Sequence, residues 1–224
     1  SPCPPGEYQN DSKYSQPTEC KQCTPGYFQE NSSAVNCAAC PAGYEQGEAA
    51  KAFCLPCFPG KYQNEAGKAR CKVCEAGRYK AELKSTTECK LCPRGTFSRD
   101  PSEDRAQCIP CSPGKWSNVT GAHNHAVCRN CSAGRYSSAA GMSKESSCIF
   151  CPQGKFGEEG GHTTSAQGCQ DCHKGRYRGD DQEATSCEDC NKGFYQNNAG
   201  QTSCLPCLPG EFGNETGMQS CHKC

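Results

Sequence analysis

A chain of 224 residues with 25 cysteines but only nineteen Leu, Ile, Val and Phe residues cannot rest on an ordinary apolar core, because below roughly 20% of those four types an unsupported chain stays disordered. Crosslinks must replace the core, and so many paired thiols persist only in an oxidising compartment: outside the cell, on its surface or in the secretory lumen. Twenty-four basic residues balance twenty-four acidic ones and are interspersed, which excludes an electrostatic footprint for nucleic acid or anionic lipid.

No apolar run is long enough to span a bilayer. Ser1-Pro2-Cys3 reads as a Cys-x-x-Cys cut after its first Cys, and Cys224 opens a unit that is missing. The natural polypeptide is therefore expected to continue at both ends, with any membrane contact made by parts not present here.

Between those ends one pattern repeats twelve times: Cys-x-x-Gly-x-aromatic, a polar loop, then Cys-x-x-Cys. The repeats are residues 1–22, 23–39, 40–56, 57–73, 74–91, 92–110, 111–130, 131–150, 151–171, 172–189 and 190–206, and then 207–224 with the start of a further repeat. Their opening cysteines are Cys3, Cys23, Cys40, Cys57, Cys74, Cys92, Cys111, Cys131, Cys151, Cys172, Cys190 and Cys207, each with Gly three residues on. Where Pro precedes that Gly, as at Pro25-Gly26 and Pro59-Gly60, Pro presets the first central position of a type II turn and the next needs positive φ. In Cys40-Pro41-Ala42-Gly43 and Cys151-Pro152-Gln153-Gly154 Pro stands one place earlier, which suits a type I turn ending on Gly.

Two residues after the Gly comes an aromatic: Tyr8, Phe28, Tyr62, Tyr79, Phe97, Trp116, Tyr136, Phe156, Tyr177, Tyr195 or Phe212; repeat 3 has Glu45 there, with Tyr44 beside it. Such rings on short extended segments next to a crosslink read as a repeated mini-core. The chain then turns polar, often through Asn-x-x-Gly as at 64–67 and 197–200, and returns to a closing cysteine, so each repeat is a small irregular hairpin. Only Ala81 to Glu88 has the composition for a turn of helix. The closing cysteines are Cys20, Cys37, Cys54, Cys71, Cys89, Cys108, Cys128, Cys148, Cys169, Cys187, Cys204 and Cys221.

Three uses of the cysteines compete. Pairing the two ends of each loop, Cys3 with Cys20 through to Cys207 with Cys221 and Cys224 left over, makes every repeat self-contained and explains why each loop has its own turn and aromatic. Each such closure removes roughly 3 kcal/mol of unfolded-state entropy. Interlocked bridges between neighbouring repeats stay open on spacing alone. Zinc would also fit paired Cys-x-x-Cys motifs, but the pairs are evenly spaced rather than grouped in fours, and sequons accompany them. Those sequons are Asn10, Asn31, Asn118, Asn130 and Asn214, candidates for N-glycans; Asn130 is the poorest, because Cys131 is its middle residue.

Catalysis has nothing to stand on, and no cofactor is implied. His123, His125, His162, His173 and His222 fall in loops or spacers without a nucleophile or carboxylate arrangement. Glu103-Asp104, Glu158-Glu159 and Asp180-Asp181 lack calcium-loop spacing. Ile149-Phe150 and Phe53 to Phe58, the only apolar clusters, sit at repeat junctions, where packing between neighbours is expected.

In its Cys-x-x-Gly-x-aromatic turns, Thr-Ser-Cys at 185–187 and 202–204, and Cys-x-x-Cys closures, the chain resembles ephrin-receptor-like cysteine-rich repeats. It is also similar to the single-disulfide module of tumour-necrosis-factor-receptor-like ectodomains. That second likeness implies the loop-end pairing. The expected fold is a small disulfide-rich, elongated, solenoid-like rod of tandem short β-hairpin modules with little conventional core, each touching only its neighbours. The expected role is a non-enzymatic extracellular structural one, as a stalk, matrix component or filament subunit of a cell surface or appendage, with self-assembly or other extracellular proteins as partners. The alternative is a receptor or adhesion ectodomain that binds a protein ligand.

Overall fold

Each repeat begins with a reversal that only glycine enters cheaply. In a computed structural model, which describes residues 2–9, 19–99, 106–179 and 184–224, the turn glycines have left-handed φ, from 72° at Gly134 to 90° at Gly26. The Tyr27 amide closes its turn on the Thr24 carbonyl at 3.0 Å and the Lys61 amide on Phe58 at 3.1 Å. Gly43 (φ 86°) and Gly154 (φ 75°) share this geometry, with closing bonds from Tyr44 to Pro41 and Lys155 to Pro152. The type I expectation for those two repeats is thus corrected: positive φ at the third turn residue belongs to type II, and Pro tolerates the first position because no N–H is needed there.

Two residues then extend and pair antiparallel with the two residues between the cysteines of the next Cys-x-x-Cys. Lys61–Tyr62 pairs with Lys72–Val73, and Phe194–Tyr195 with Leu205–Pro206. The result is a series of separate two-stranded hairpins with almost no helix. The stretch from Ala81 to Glu88 makes a turn at Leu83-Lys84 and no helix. The short helices lie instead in longer loops, at His125–Val127, Glu145–Ser147 and Ser165–Gly168. They take up extra residues between fixed ends.

Twelve disulfides join the two ends of each loop among the described residues, spanning 14 to 18 residues. Opening cysteines such as Cys23, Cys57 and Cys131 have no solvent exposure. Of the aromatic position only Phe97 and Phe156 are buried, at 4% and 8% exposure. The core is therefore the sulfur ladder itself, and the rings are its half-exposed cladding. Phe53, Phe58 and Ile149, expected to pack at junctions, are 61%, 58% and 54% exposed.

By contact the chain forms two compact units, Ser1–Pro93 with Phe97–Cys108 and Gly121–Asn124, and Arg94–Thr96 with Ile109–Thr120 and His125–Cys224. In each, successive hairpins are bonded through their backbones. In the first unit the Gly43 amide donates to Gln63 at 2.8 Å, Gln46 to Lys68 at 3.4 Å and Gly67 back to Cys40 at 2.8 Å. In the second, Gly175 donates to Gln196, Gln196 to Met218 and Gly217 back to Cys190, at 2.7, 3.0 and 2.8 Å. Polar backbone that a small protein cannot leave buried and unpaired is satisfied by the next repeat.

The expectation that repeats touch only their neighbours fails at the turn glycine. A Cβ on Gly26 would lie 2.3 Å from the carbonyl oxygen of Gly67, two hairpins on, and one on Gly43 would lie 2.4 Å from that of Lys84. The same relation ties Gly114 to Gly161 at 2.3 Å and Gly175 to Gly217 at 2.0 Å. The missing side chain lets a loop two repeats away seat its carbonyl against the turn.

Candidate functional site at the hairpin junctions

In eight hairpins the residue after the aromatic position is polar, yet it is buried: Gln46, Gln63, Lys80, Ser98, Ser117, Ser137, Arg178 and Gln196 are all 3% exposed or less. Burying an amide costs unless its bonds are made. The Gln63 amide nitrogen donates to the Arg70 carbonyl at 2.9 Å, and its oxygen accepts from the Glu65 amide at 3.2 Å. Gln46 and Gln196 do the same with Phe53 and Glu48, and with Ser203 and Asn198. One side chain thus staples both ends of its own loop.

In ten of the twelve hairpins the type of this residue follows the length of the loop: a long polar side chain in loops closed over 14 or 15 residues, Ser over 16 or 17 and Gly over 18. Gln29, Gln46, Gln63 and Gln196 stand in loops closed over 14 residues, and Lys80 and Arg178 in loops over 15. Ser98 stands in a loop closed over 16, Ser117 and Ser137 in loops over 17, and Gly157 in one over 18. As the loop gains backbone it enters the slot: a Cβ on Gly157 would meet the Gly168 carbonyl at 2.3 Å. In hairpin 12, closed over 14 residues around Gly213, Met218 fills the space instead, its sulfur 3.2 Å from the position of a Cβ. Gln9, before a loop closed over 17, departs from the trend.

Charged members of the row are also satisfied. Lys80 Nζ donates to Thr87 Oγ1 at 2.6 Å and lies 3.2 Å from Glu82. Arg178 reaches the preceding hairpin, bonding the Lys155 carbonyl at 2.6 Å, Pro152 at 2.8 Å and Cys151. Glu45, which replaces an aromatic, accepts a hydrogen bond from the Cys71 amide in the next hairpin, while the Tyr44 ring beside it lies 5.3 Å below Lys84. Cations cover other rings: Arg129 over Trp116 at 5.8 Å and Arg135 over Phe150 at 3.7 Å. Glu188 accepts from the Tyr177 hydroxyl at 2.8 Å. That bond, with burial and the carboxylate's charge behind it, holds the Tyr177 pKa above the usual tyrosine range.

The sequons fall in different places. Asn31, Asn118 and Asn214 are exposed in loops shortly after the aromatic, whereas Asn130 lies on the strand Arg129–Asn130 with its amide against Gly161. Asn10, Glu103, Asp104, Asp180 and Asp181 lie outside the described residues. Three histidines serve packing: His162 sits beneath Gly168, His173 is edge-on to Phe156 at 6.2 Å, and His222 tilts against Phe212 at 5.6 Å. His123 and His125 are exposed, and no metal-holding group of three or more His, Cys, Asp or Glu occurs among the described residues. Cys224 is exposed and free.

The buried polar row is the feature that reading for motifs misses. Its signal is nonetheless in the sequence: in ten of the twelve hairpins the residue after the aromatic position is Gln, Lys or Arg where the closing cysteine is 14 or 15 residues on from the opening one, Ser at 16 or 17 and Gly at 18. The same hairpin grammar decides the family. The family described as tyrosine-protein kinase ephrin type A/B receptor-like matches residues 43–88, 81–128 and 180–224, more than half of the chain.

The chain belongs to the ephrin-receptor-like repeat family.

No curated protein matches it. Ephrin-receptor-like repeats and twelve disulfides point to an extracellular or secreted domain of receptor or structural type, built from non-catalytic modules. Among the described residues no helix is long and apolar enough to cross a membrane.

Proposed function

We propose that this run of ephrin-receptor-like repeats is a non-enzymatic structural element of a cell surface or appendage: a stalk, matrix component or filament subunit. The observation that supports it is the junction. Backbone bonds and turn glycines hold one repeat to the next, as from Gly43 to Gln63 and to Lys84, while the buried Gln63 side chain closes its own loop. Such junctions suit the transmission of tension and resistance to proteolysis. The partners are copies of the chain or other extracellular proteins, and Asn31, Asn118 and Asn214 carry N-glycans. Negative-stain electron microscopy of the native material, with a non-reducing peptide map, tests the reading. Ordered filaments or arrays built from the chain are expected. Uniformly dispersed single particles at every concentration would overturn assembly.

A receptor or adhesion role draws on one observation, the exposure of Phe53, Leu55 and Phe58 in adjoining hairpins. Cross-linking at a photoreactive residue replacing Phe58 separates the two readings: a heterologous protein captured there favours adhesion.

A further inference from the structure

One groove recurs between consecutive hairpins with different walls. Between hairpins 1 and 2 it is lined by Tyr8, Gln22, Thr24, Tyr27 and Asn36 over Cys37, with a volume of about 310 Å³. Between hairpins 10 and 11 its lining is Tyr177, Asn191, Phe194 and Ser203 over Cys204, and its volume about 220 Å³. The equivalent groove between hairpins 4 and 5 has Tyr62, Lys72, Glu75, Arg78 and Glu88 over Cys89. The second wall of each groove is the residue before the aromatic of its second hairpin, Arg78 here, and that position holds Lys61, Lys115 and Lys155 in hairpins 4, 7 and 9. In hairpins 2 and 11 it is Tyr27 or Phe194, 39% and 42% exposed. The hydroxyl end of Tyr27 lies near Gly67 of hairpin 4.

We propose that these two grooves, lined by uncharged side chains, bind a neutral oligosaccharide. A pyranose ring has an apolar C–H face and an edge of hydroxyls that both donate and accept. Tyr8 and Tyr27 in one groove, and Tyr177 and Phe194 in the other, supply an apolar surface with a polar tip. The amides of Gln22, Asn36 and Asn191 and the hydroxyls of Thr24 and Ser203 donate and accept alike, matching sugar hydroxyls on both counts. A proline-rich peptide, offering mostly carbonyl acceptors, would leave half of those amide groups unpaired. An ionic polymer would find its counter-charges at the groove between hairpins 4 and 5 instead. The Tyr177 ring is already fixed by its bond to Glu188, so one wall is pre-organised.

The test is NMR titration of the full chain, disulfides intact, with chitotetraose and with linear mannotetraose. Saturable millimolar shifts of the Tyr8, Tyr27, Tyr177 and Phe194 rings are expected with at least one of them, unchanged by salt and absent at Tyr62. Tyr27→Lys combined with Phe194→Lys, which installs the residue other hairpins use, should weaken binding about tenfold or more. An unchanged disulfide map verifies that this variant is folded, and sugar-to-ring NOEs in the unaltered chain decide independently of it. Absence of shifts with both sugars, equal shifts at Tyr62, or shifts produced by a proline-rich peptide alone would overturn the proposal.

Discussion

At the scale of the residue, the turn glycines separate two costs that usually travel together. Gly26 and Gly193 have φ of 90° and 82°, but a Cβ on Gly26 would strike the Gly67 carbonyl at 2.3 Å while one on Gly193 meets nothing within 4 Å. Gly193→Ala should cost about 1 kcal/mol for the left-handed backbone alone, and Gly26→Ala about 3 kcal/mol once the lost contact is added, read as amide-exchange protection in the hairpins concerned. Gln63→Leu leaves the Arg70 carbonyl and Glu65 amide without their partner. We expect a loss of about 2 kcal/mol, with the Glu65 amide exchanging faster. Tyr177 offers a pH readout. Its raised pKa means that the protonated hydroxyl bonded to Glu188 stabilises the hairpin below the unfolded-state pKa, and that this contribution disappears as pH rises through the folded value. In an NMR titration its ring should ionise above the usual tyrosine range, and Glu188→Gln should lower that midpoint.

At the scale of the element, the hairpin owes its existence to its covalent closure. Replacing Cys57 and Cys71 by Ser should destabilise hairpin 4 by about 3 kcal/mol and loosen the bonds Gly43 to Gln63 and Gly60 to Lys80. Loop length hardly alters this figure. Loops closed over 14 and 18 residues differ by only about 0.2 kcal/mol in closure entropy, so the equivalent change at Cys151 and Cys169 should cost the same within error. The hairpin was legible in the sequence because its markers are local: Gly60 for the reversal, Tyr62 for the extended arm, Cys57 and Cys71 for the ends. Its partners were not. That Gly26 answers to Gly67, or that Glu45 serves the Cys71 amide, depends on how repeats stack, and no spacing within one repeat encodes it. The buried Gln63 escaped for a different reason: a polar residue opening a polar loop has the composition of solvent-exposed chain, and only its bonds reveal that it is interior.

At the scale of the whole molecule, stability has a reach of two repeats rather than one, because the turn of one hairpin rests on the loop of the hairpin after next. Breaking Cys40–Cys54 should therefore raise amide exchange in hairpins 1 to 5 and leave residues 190–221 unchanged, a range that hydrogen exchange with mass spectrometry resolves. A strictly nearest-neighbour array would confine the change to hairpins 2 to 4. The slot residue adds a rule of inheritance. Because Gln63 and its loop lie in one repeat, a duplicated repeat carries its own fitted gauge wherever it is copied, and loop length drifts safely only when the slot drifts with it. The turn glycine has no such portability: its counterpart lies two repeats downstream, so a transplanted repeat is judged by whatever loop it lands beside. Repeats of this chain are exchangeable parts in their interiors and bespoke parts at their turns.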